Sequence, residues 1–94
     1  MHVPKISVIM PVFNCEKYLD ESINSILAQS FSNFEFIIIN DGSTDDSLEL
    51  INSFQHKDER IIVINQKHQG ITKSLNTGIQ ICQGEFIVRM DADD

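Results

Sequence analysis

The sequence predicts a three-layer α/β sandwich around a mainly parallel sheet, and three observations carry that expectation. Four short apolar runs are rich in Ile and Val, three segments of helical period separate them, and the two kinds alternate with no linker or low-complexity stretch. Short strands that alternate with helices imply right-handed crossovers and helices on both sheet faces, a Rossmann-like βαβαβαβ order. The chain has 94 residues, room for one small domain, and its 41% hydrophobic content supplies a core.

The first run, Lys5–Pro11, reads as a strand, as do Phe34–Asn40, Arg60–Asn65 and Glu85–Met90. All are too short for lone helices, and their continuous rather than alternating apolarity points to burial on both faces. Between the first two, Glu16–Gln29 places Leu19, Ile23, Ile26 and Leu27 on one helical stripe. In Asp45–Phe54 the stripe is Leu48, Ile51 and Phe54. There Ser43 or Thr44 is the expected N-cap, with Asp45 and Asp46 in a first turn that complements the helix dipole. Thr72–Ile81 carries a weaker stripe, Leu75 and Ile79. Gly78 costs this third helix about 1 kcal/mol relative to Ala, which fits either close packing or a simply tolerated glycine.

A net charge of −7 argues against a nucleic-acid groove or an anionic membrane surface, since both require clustered Lys and Arg. An acidic protein still binds a phosphorylated ligand when a divalent cation mediates. Cys15 and Cys82 lack metal-ligand spacing and read as reduced thiols. No apolar run approaches the ~20 residues of a membrane span, and no signal-peptide core is present, so a soluble, cytoplasmic domain is expected. Membrane association of a longer protein stays compatible with that reading.

In parallel α/β sheets ligands bind beyond the carboxyl ends of the strands, where strand order reverses. Here those ends are Pro11-Val-Phe-Asn14, Asn40–Asp46, Gln66–Gly70 and Asp91–Asp94. They should converge on one rim carrying Asp41, Asp91, Asp93 and Asp94, with Lys67, His68 and Lys73 nearby and a helix N-terminus behind Ser43. Asp91 and Asp93 are two apart, so on an extended strand end they project to one side. Two hard oxygen donors there suit Mg²⁺ or Mn²⁺, which keep waters and complete their shell with substrate phosphates. An isolated D-x-D is more often a solvated acidic turn. Asp41-Gly42 alone is equally consistent with an Asx turn or with close approach of a ligand to the backbone. His68 reads as a polar loop residue, because no second His or Cys lies at ligand spacing.

Four blocks in order, Ile6–Asn14 (ISVIMPVFN), Phe36–Ser47 (FIIINDGSTDDS), Asn65–Ile79 (NQKHQGITKSLNTGI) and Gly84–Asp94 (GEFIVRMDADD), resemble the N-terminal half of a family 2 glycosyltransferase. The likeness spans almost the whole chain. It implies a GT-A fold in which residues 1–94 form the nucleotide-diphospho-sugar-binding part, ending just after D-x-D. It also implies that Pro11, Val12 and Asn14 line the nucleotide pocket and that Asp41 accepts from the base, typically the ring N–H of uracil. By the same resemblance Asp91 sits near the ribose or sugar, and Asp93, with Asp91, holds a divalent Mn or Mg ion on the diphosphate. Many family members carry Ala-Arg-Asn-x-Gly where this chain reads Ser74-Leu-Asn-Thr-Gly78. Leu75 therefore replaces an arginine, and Lys73 or Lys67 is left to supply its charge.

The implied activity is transfer of a sugar from a nucleotide-diphosphate sugar, a UDP-sugar favoured, to an acceptor glycan or lipid-linked glycan, with inversion. A divalent cation and a general base would assist. The base is expected downstream of Asp94, so no catalytic residue is assigned in this stretch and the fragment alone should be inactive. Bacterial surface polysaccharide assembly is the setting implied. A half-sheet should expose an edge and an apolar face, which predicts self-association. The rival readings are a phosphotransferase or phosphatase and a noncatalytic regulatory module with an acidic metal-binding rim. Both place acidic residues after the first strand, where this chain has Val12-Phe-Asn14. A P-loop is excluded because no G-x-x-x-x-G-K-[ST] occurs.

Overall fold

The computed structural model describes residues 4–29 and 33–92. Its elements are β1 (Ile6–Val12), α1 (Glu16–Leu27), β2 (Phe34–Asp41), α2 (Ser47–Lys57), β3 (Ile61–Gln66), α3 (Ile71–Ile81) and β4 (Phe86–Arg89). All seven expected elements are present. The four strands form one sheet in the order β3-β2-β1-β4, with every pairing parallel. Strand order thus reverses at β1, which lies between β2 and β4.

Side-chain alternation divides the core between the two faces. Val8, Met10, Phe36 and Ile38 pack with Leu19, Ile23 and Ile26 of α1 and Ile51 of α2 on one face. Ile9, Ile37 and Ile39 point to the other, where Leu75 and Cys82 from α3 and its C-cap meet them. The central strand β2 is buried along its whole length, as its unbroken Ile run requires. Among the described residues, no helix is long and apolar enough to cross a membrane.

Two expectations need correction. β3 is buried only at Ile61, and β4 is exposed throughout, rather than either being buried on both faces. β4 lies at the sheet edge with β1 as its neighbour, and the helices pack chiefly on β1, β2 and β3. The second helix starts at Ser47, with Asp46 as N-cap, instead of being capped by Ser43 or Thr44. Asn14 explains this: its Oδ1 accepts from the backbone N–H of Thr44 (2.7 Å) and Asp45 (3.3 Å), holding residues 43–45 outside the helix.

At the end of the sheet opposite the strand C-termini, a buried polar junction ties β4 to its neighbours. Ser7 Oγ donates to Glu35 Oε2 (2.5 Å), which also accepts from the Gln83 N–H (2.6 Å), while the Gly84 N–H donates to Ser7 Oγ (2.8 Å). Three donor–acceptor pairs therefore fix where the α3–β4 connection enters the sheet.

α3 sits close to the sheet because Gly78 faces it. A Cβ at Gly78 would lie 2.7 Å from Ile9 Cγ2 and 3.1 Å from Ile39 Cδ1. This decides for close packing over a tolerated glycine. Gly78→Ala gains about 1 kcal/mol of helix propensity, but overpacking costs roughly 1–3 kcal/mol. The urea midpoint should therefore fall. A midpoint unchanged or raised would contradict tight seating of α3.

Candidate functional site

The C-terminal ends of β1, β2 and β4 and the start of α3 enclose a cleft of about 280 Å³. Its walls include Pro11, Val12, Phe13, Asp41, His68, Gly70, Ser74 and Asp91. It lies at the place where strand order reverses, as expected for such sheets.

Asp41 is the best-connected group there. It ends β2 and is 3% exposed. Its Oδ1 accepts from Gln66 Nε2 (2.8 Å) and the Gln69 N–H (2.8 Å), and its Oδ2 accepts from the Gly70 N–H (3.0 Å) and faces His68 Nδ1 at 3.1 Å. Burial pushes its carboxyl pKa up. The hydrogen bonds from Gln66, Gln69 and Gly70, with the His68 charge, more than offset that and hold it below the usual value. Four contacts occupy the acceptor capacity of one carboxylate. Any base N–H reaching Asp41 would have to exchange with one of these donors.

Sequence order alone explains little of this cluster, but sheet register does. Asp41 and Gln66 are partners across β2 and β3. Gln66 carries the network onward: its Nε2 also donates to the fully buried Ser74 Oγ (3.0 Å), and its Oε1 accepts from Thr77 Oγ1 (3.2 Å). Gly42 completes the packing. With φ at 73°, it would place a Cβ 2.6 Å from the His68 backbone nitrogen, so a side chain there is excluded on both counts.

Asn14 is placed differently from a pocket-lining residue. It is exposed, with φ at 53°, and its side-chain oxygen is committed to Thr44 and Asp45. The N-terminus of α2 is likewise taken. Ser47 N–H donates to Asp45 Oδ1 (2.9 Å), and Asp46 N–H donates to Glu16 Oε2 (3.2 Å). These carboxylates come from the chain itself, so the donors at Asp46 and Ser47 behind Ser43 are already engaged.

At the β4 side, Ser22 Oγ of α1 donates to the Ala92 carbonyl (2.7 Å), which fixes the turn bearing Asp91. The Asp91 side chain is 41% exposed, and its Oδ1 meets Arg89 Nη2 at 3.2 Å. Asp93 and Asp94 lie outside the described residues. Lys67 and Lys73 are exposed and do not line the cleft, and Leu75 packs toward Ile9 and Ile39 where an arginine was the family expectation. Sequence reading missed Gln66, Ser74 and the aromatic pair Phe13–His68. The buried serine and the strand-end glutamine had no motif to mark them; only register brings them to Asp41.

Asp41→Asn keeps the shape but leaves fewer acceptor sites for four donors. At neutral pH it should cost about 1–3 kcal/mol. Because the folded pKa is depressed, the carboxylate's contribution is present above the unfolded value near 4 and is lost as pH falls through the folded value. The gap between parent and variant should therefore narrow in acid. Urea denaturation at neutral pH and below about pH 3 measures both, and an equal gap at the two would rule out the charged anchor.

Comparison with known proteins identifies this framework. The sequence profile described as Glycosyl transferase family 2 matches residues 7–94. An uncharacterized glycosyltransferase of Haemophilus influenzae is 45% identical over 95 residues, covering 100% of this chain and 38% of that protein. Staphylococcus aureus TarS 1–349, solved with UDP-GlcNAc, superposes with a TM-score of 0.88 at 33% identity, over 95% of this chain and 26% of TarS. Mannosyltransferase PcManGT from Pyrobaculum calidifontis, solved with GDP-Man and Mn²⁺, shares the fold at 22% identity, with a TM-score of 0.89 over 99% of this chain and 28% of that one. The chain therefore spans little more than a third of its Haemophilus relative. Its sheet is that of the GT-A glycosyltransferases, and the chain belongs to glycosyltransferase family 2.

Proposed function

We propose that this chain is the donor-binding half of a glycosyltransferase. The complete enzyme would move a sugar from a nucleotide-diphosphate sugar, a UDP-sugar favoured, to the hydroxyl of an acceptor glycan or lipid-linked glycan, with inversion. The observation that carries this reading is the cleft at the reversal of strand order, bounded by the Asp41 and Asp91 strand ends. The likeness to TarS, whose structure holds UDP-GlcNAc, supports the same donor class.

The chain's own residues divide the work. The Pro11–Phe13 segment walls the base side, and Asp41 holds the loop that closes it. Arg89, in contact with Asp91 on the cleft wall, brings a cation to that edge. Among the described residues no three ligands converge into a protein cage for a metal. A single part-exposed carboxylate nevertheless fits Mg²⁺ or Mn²⁺, which bind through one or two carboxylates together with substrate phosphates. Asp91, with Asp93, would hold such an ion, which would stabilise negative charge on the leaving diphosphate. The base that takes the acceptor proton is assigned to polypeptide beyond these residues.

Titration of the chain with UDP and UDP-GlcNAc, with and without Mn²⁺, tests this by calorimetry and NMR. Shifts at the amides of residues 41, 69, 70 and 91 are expected, with the Mn²⁺-dependent part lost in Asp91→Asn. No sugar transfer is expected from the chain alone. A folded chain that binds no nucleotide, or one that turns over substrate, would refute the respective parts.

The exposed edge supports a second expectation. Phe86, Ile87, Val88 and Met90 are all exposed on or beside β4, and Val88 and Met90 border an apolar groove with Val8, Ile26 and Phe34. An unpaired edge flanked by apolar side chains is a template for pairing. The isolated chain should associate with itself through β4. Sedimentation velocity should show concentration-dependent association that Val88→Lys weakens; a clean monomer at high concentration would contradict it.

A further inference from the structure

The side chains of β4 do little to set its register. Among the described residues it pairs with β1 alone, and all of its residues are exposed. Register is strongly specified where one face of a strand is buried, and that constraint is weak here. Yet Asp91, on the cleft wall, lies just beyond the end of β4 at Arg89, so its place follows from where β4 stands against β1. A slip of two residues would carry it about 7 Å along the strand direction.

The buried junction at the start of β4 supplies what the side chains do not. Ser7 of β1 is fully buried, Glu35 of β2 is 7% exposed, and both turn oxygens to the α3–β4 connection. Glu35 Oε2 accepts from the Gln83 N–H and from Ser7 Oγ, and Ser7 Oγ accepts from the Gly84 N–H. Two successive backbone donors are thus captured by two neighbouring strands. Gly84 permits the approach, since a Cβ there would lie 2.5 Å from the Ser7 nitrogen. Glu35 makes no ion pair among the described residues, so it works here as an acceptor and not as the partner of a cation. At the far end, the Ser22–Ala92 bond ties the turn to α1. One pin leaves a strand free to pivot or shift; two fix both its position and its direction.

We propose that Glu35 is a positioning residue for the Asp91 corner of the donor site, acting through the length of β4. This rests on the donor-binding reading of Asp91 above. Glu35 stands at the opposite end of β2 from Asp41, about 20 Å away along the strand, so it cannot touch a ligand in the cleft. Its effect is on where Asp91 and the neighbouring Arg89 guanidinium stand. An ion held by one or two carboxylates and substrate phosphates has few protein ligands to compensate for a displaced one. The role needs an acceptor rather than a charge, so glutamine can fill it: its carbonyl oxygen takes the same two donors. Alanine cannot.

The test compares the parent chain with Glu35→Gln, Glu35→Ala and the milder Ser7→Ala, which removes only a hydroxyl and serves if Glu35→Ala does not fold. The strand is read first, by NMR without ligand. The Phe86 and Met90 amides donate to the Lys5 and Ile9 carbonyls, and their exchange protection reports the pairing of β4 with β1. Parent and Glu35→Gln should keep that protection. The alanine variants should lose it and shift the amides of residues 87–91, with those of residues 37–41 unmoved. UDP titrations with and without Mn²⁺ then read the site. The Mn²⁺-dependent gain in affinity should fall about tenfold in the alanine variants, with Mn²⁺-free binding retained and Glu35→Gln close to the parent. Folded alanine variants with parent-like β4 amides, or with shifted amides and an intact Mn²⁺-dependent gain, overturn this inference and leave the nucleotide reading standing. So does Glu35→Gln behaving like Glu35→Ala. A folded parent that binds no UDP even with Mn²⁺ overturns both.

Discussion

The cleft depends on one buried carboxylate. Asp41 sits at the end of the most buried strand, and its two oxygens gather donors from a side chain of β3, the loop behind it and the approach to α3. A carboxylate in a buried position is costly unless its lone pairs are filled, and a backbone N–H in a loop is costly unless it finds an acceptor. Each need answers the other here. Removing the charge would release the loop, and removing the loop would strand the charge, so β2, β3 and α3 share one local equilibrium.

A second pin works on the other side of β2, toward β1. Asn14 adopts a left-handed conformation that asparagine tolerates better than most residues. From there its amide captures Thr44 and Asp45, while Ser47 Oγ accepts the Cys15 N–H at 3.0 Å. Asp45 in turn spans the starts of α1 and α2, accepting from Glu16 N–H (3.2 Å) and Ser47 N–H (2.9 Å). The loops after β1 and β2 are thus bonded to each other, and the loops after β2 and β3 are bonded through Asp41. The rim is rigid through crosslinks between turns rather than through any continuation of the sheet.

That arrangement explains which features were legible in the sequence. Strands and helices were readable because burial repeats along them: the Ile37–Ile39 run and the Leu19/Ile23/Ile26 stripe are periodic signals. The rim was readable as a place, since topology sends all strand ends to one edge. Partner choice within it was not, because Asn14 reaches residues about thirty positions away and no local pattern states that. The misplaced cap of α2 has this cause: Ser43 is a good local cap, but a distant amide outbids it for the neighbouring backbone. The exposure of β4 escaped for a related reason. An apolar strand reads as buried, and only strand order shows that nothing in the described residues lies against its outer edge.

Electrostatics divides the cleft into two unlike poles. At one, the charge of Asp41 is answered by four donors within 3.1 Å and turned away from solvent. That pole is shaped and polar but offers little net field, which suits a neutral flat group recognised by hydrogen bonds and ring contact. At the other, Asp91 is part-exposed and meets a single guanidinium whose side chain is itself half-exposed. With a chain charge of −7 and no lysine on the cleft wall, a free diphosphate would meet repulsion there. The balance would become favourable with positive charge beyond that of Arg89, as a divalent ion beside Asp91 would bring. Under the nucleotide reading, base and diphosphate are therefore recognised by different physics. A base would meet filled lone pairs and ring faces, whereas a diphosphate would need added positive charge at the acidic rim.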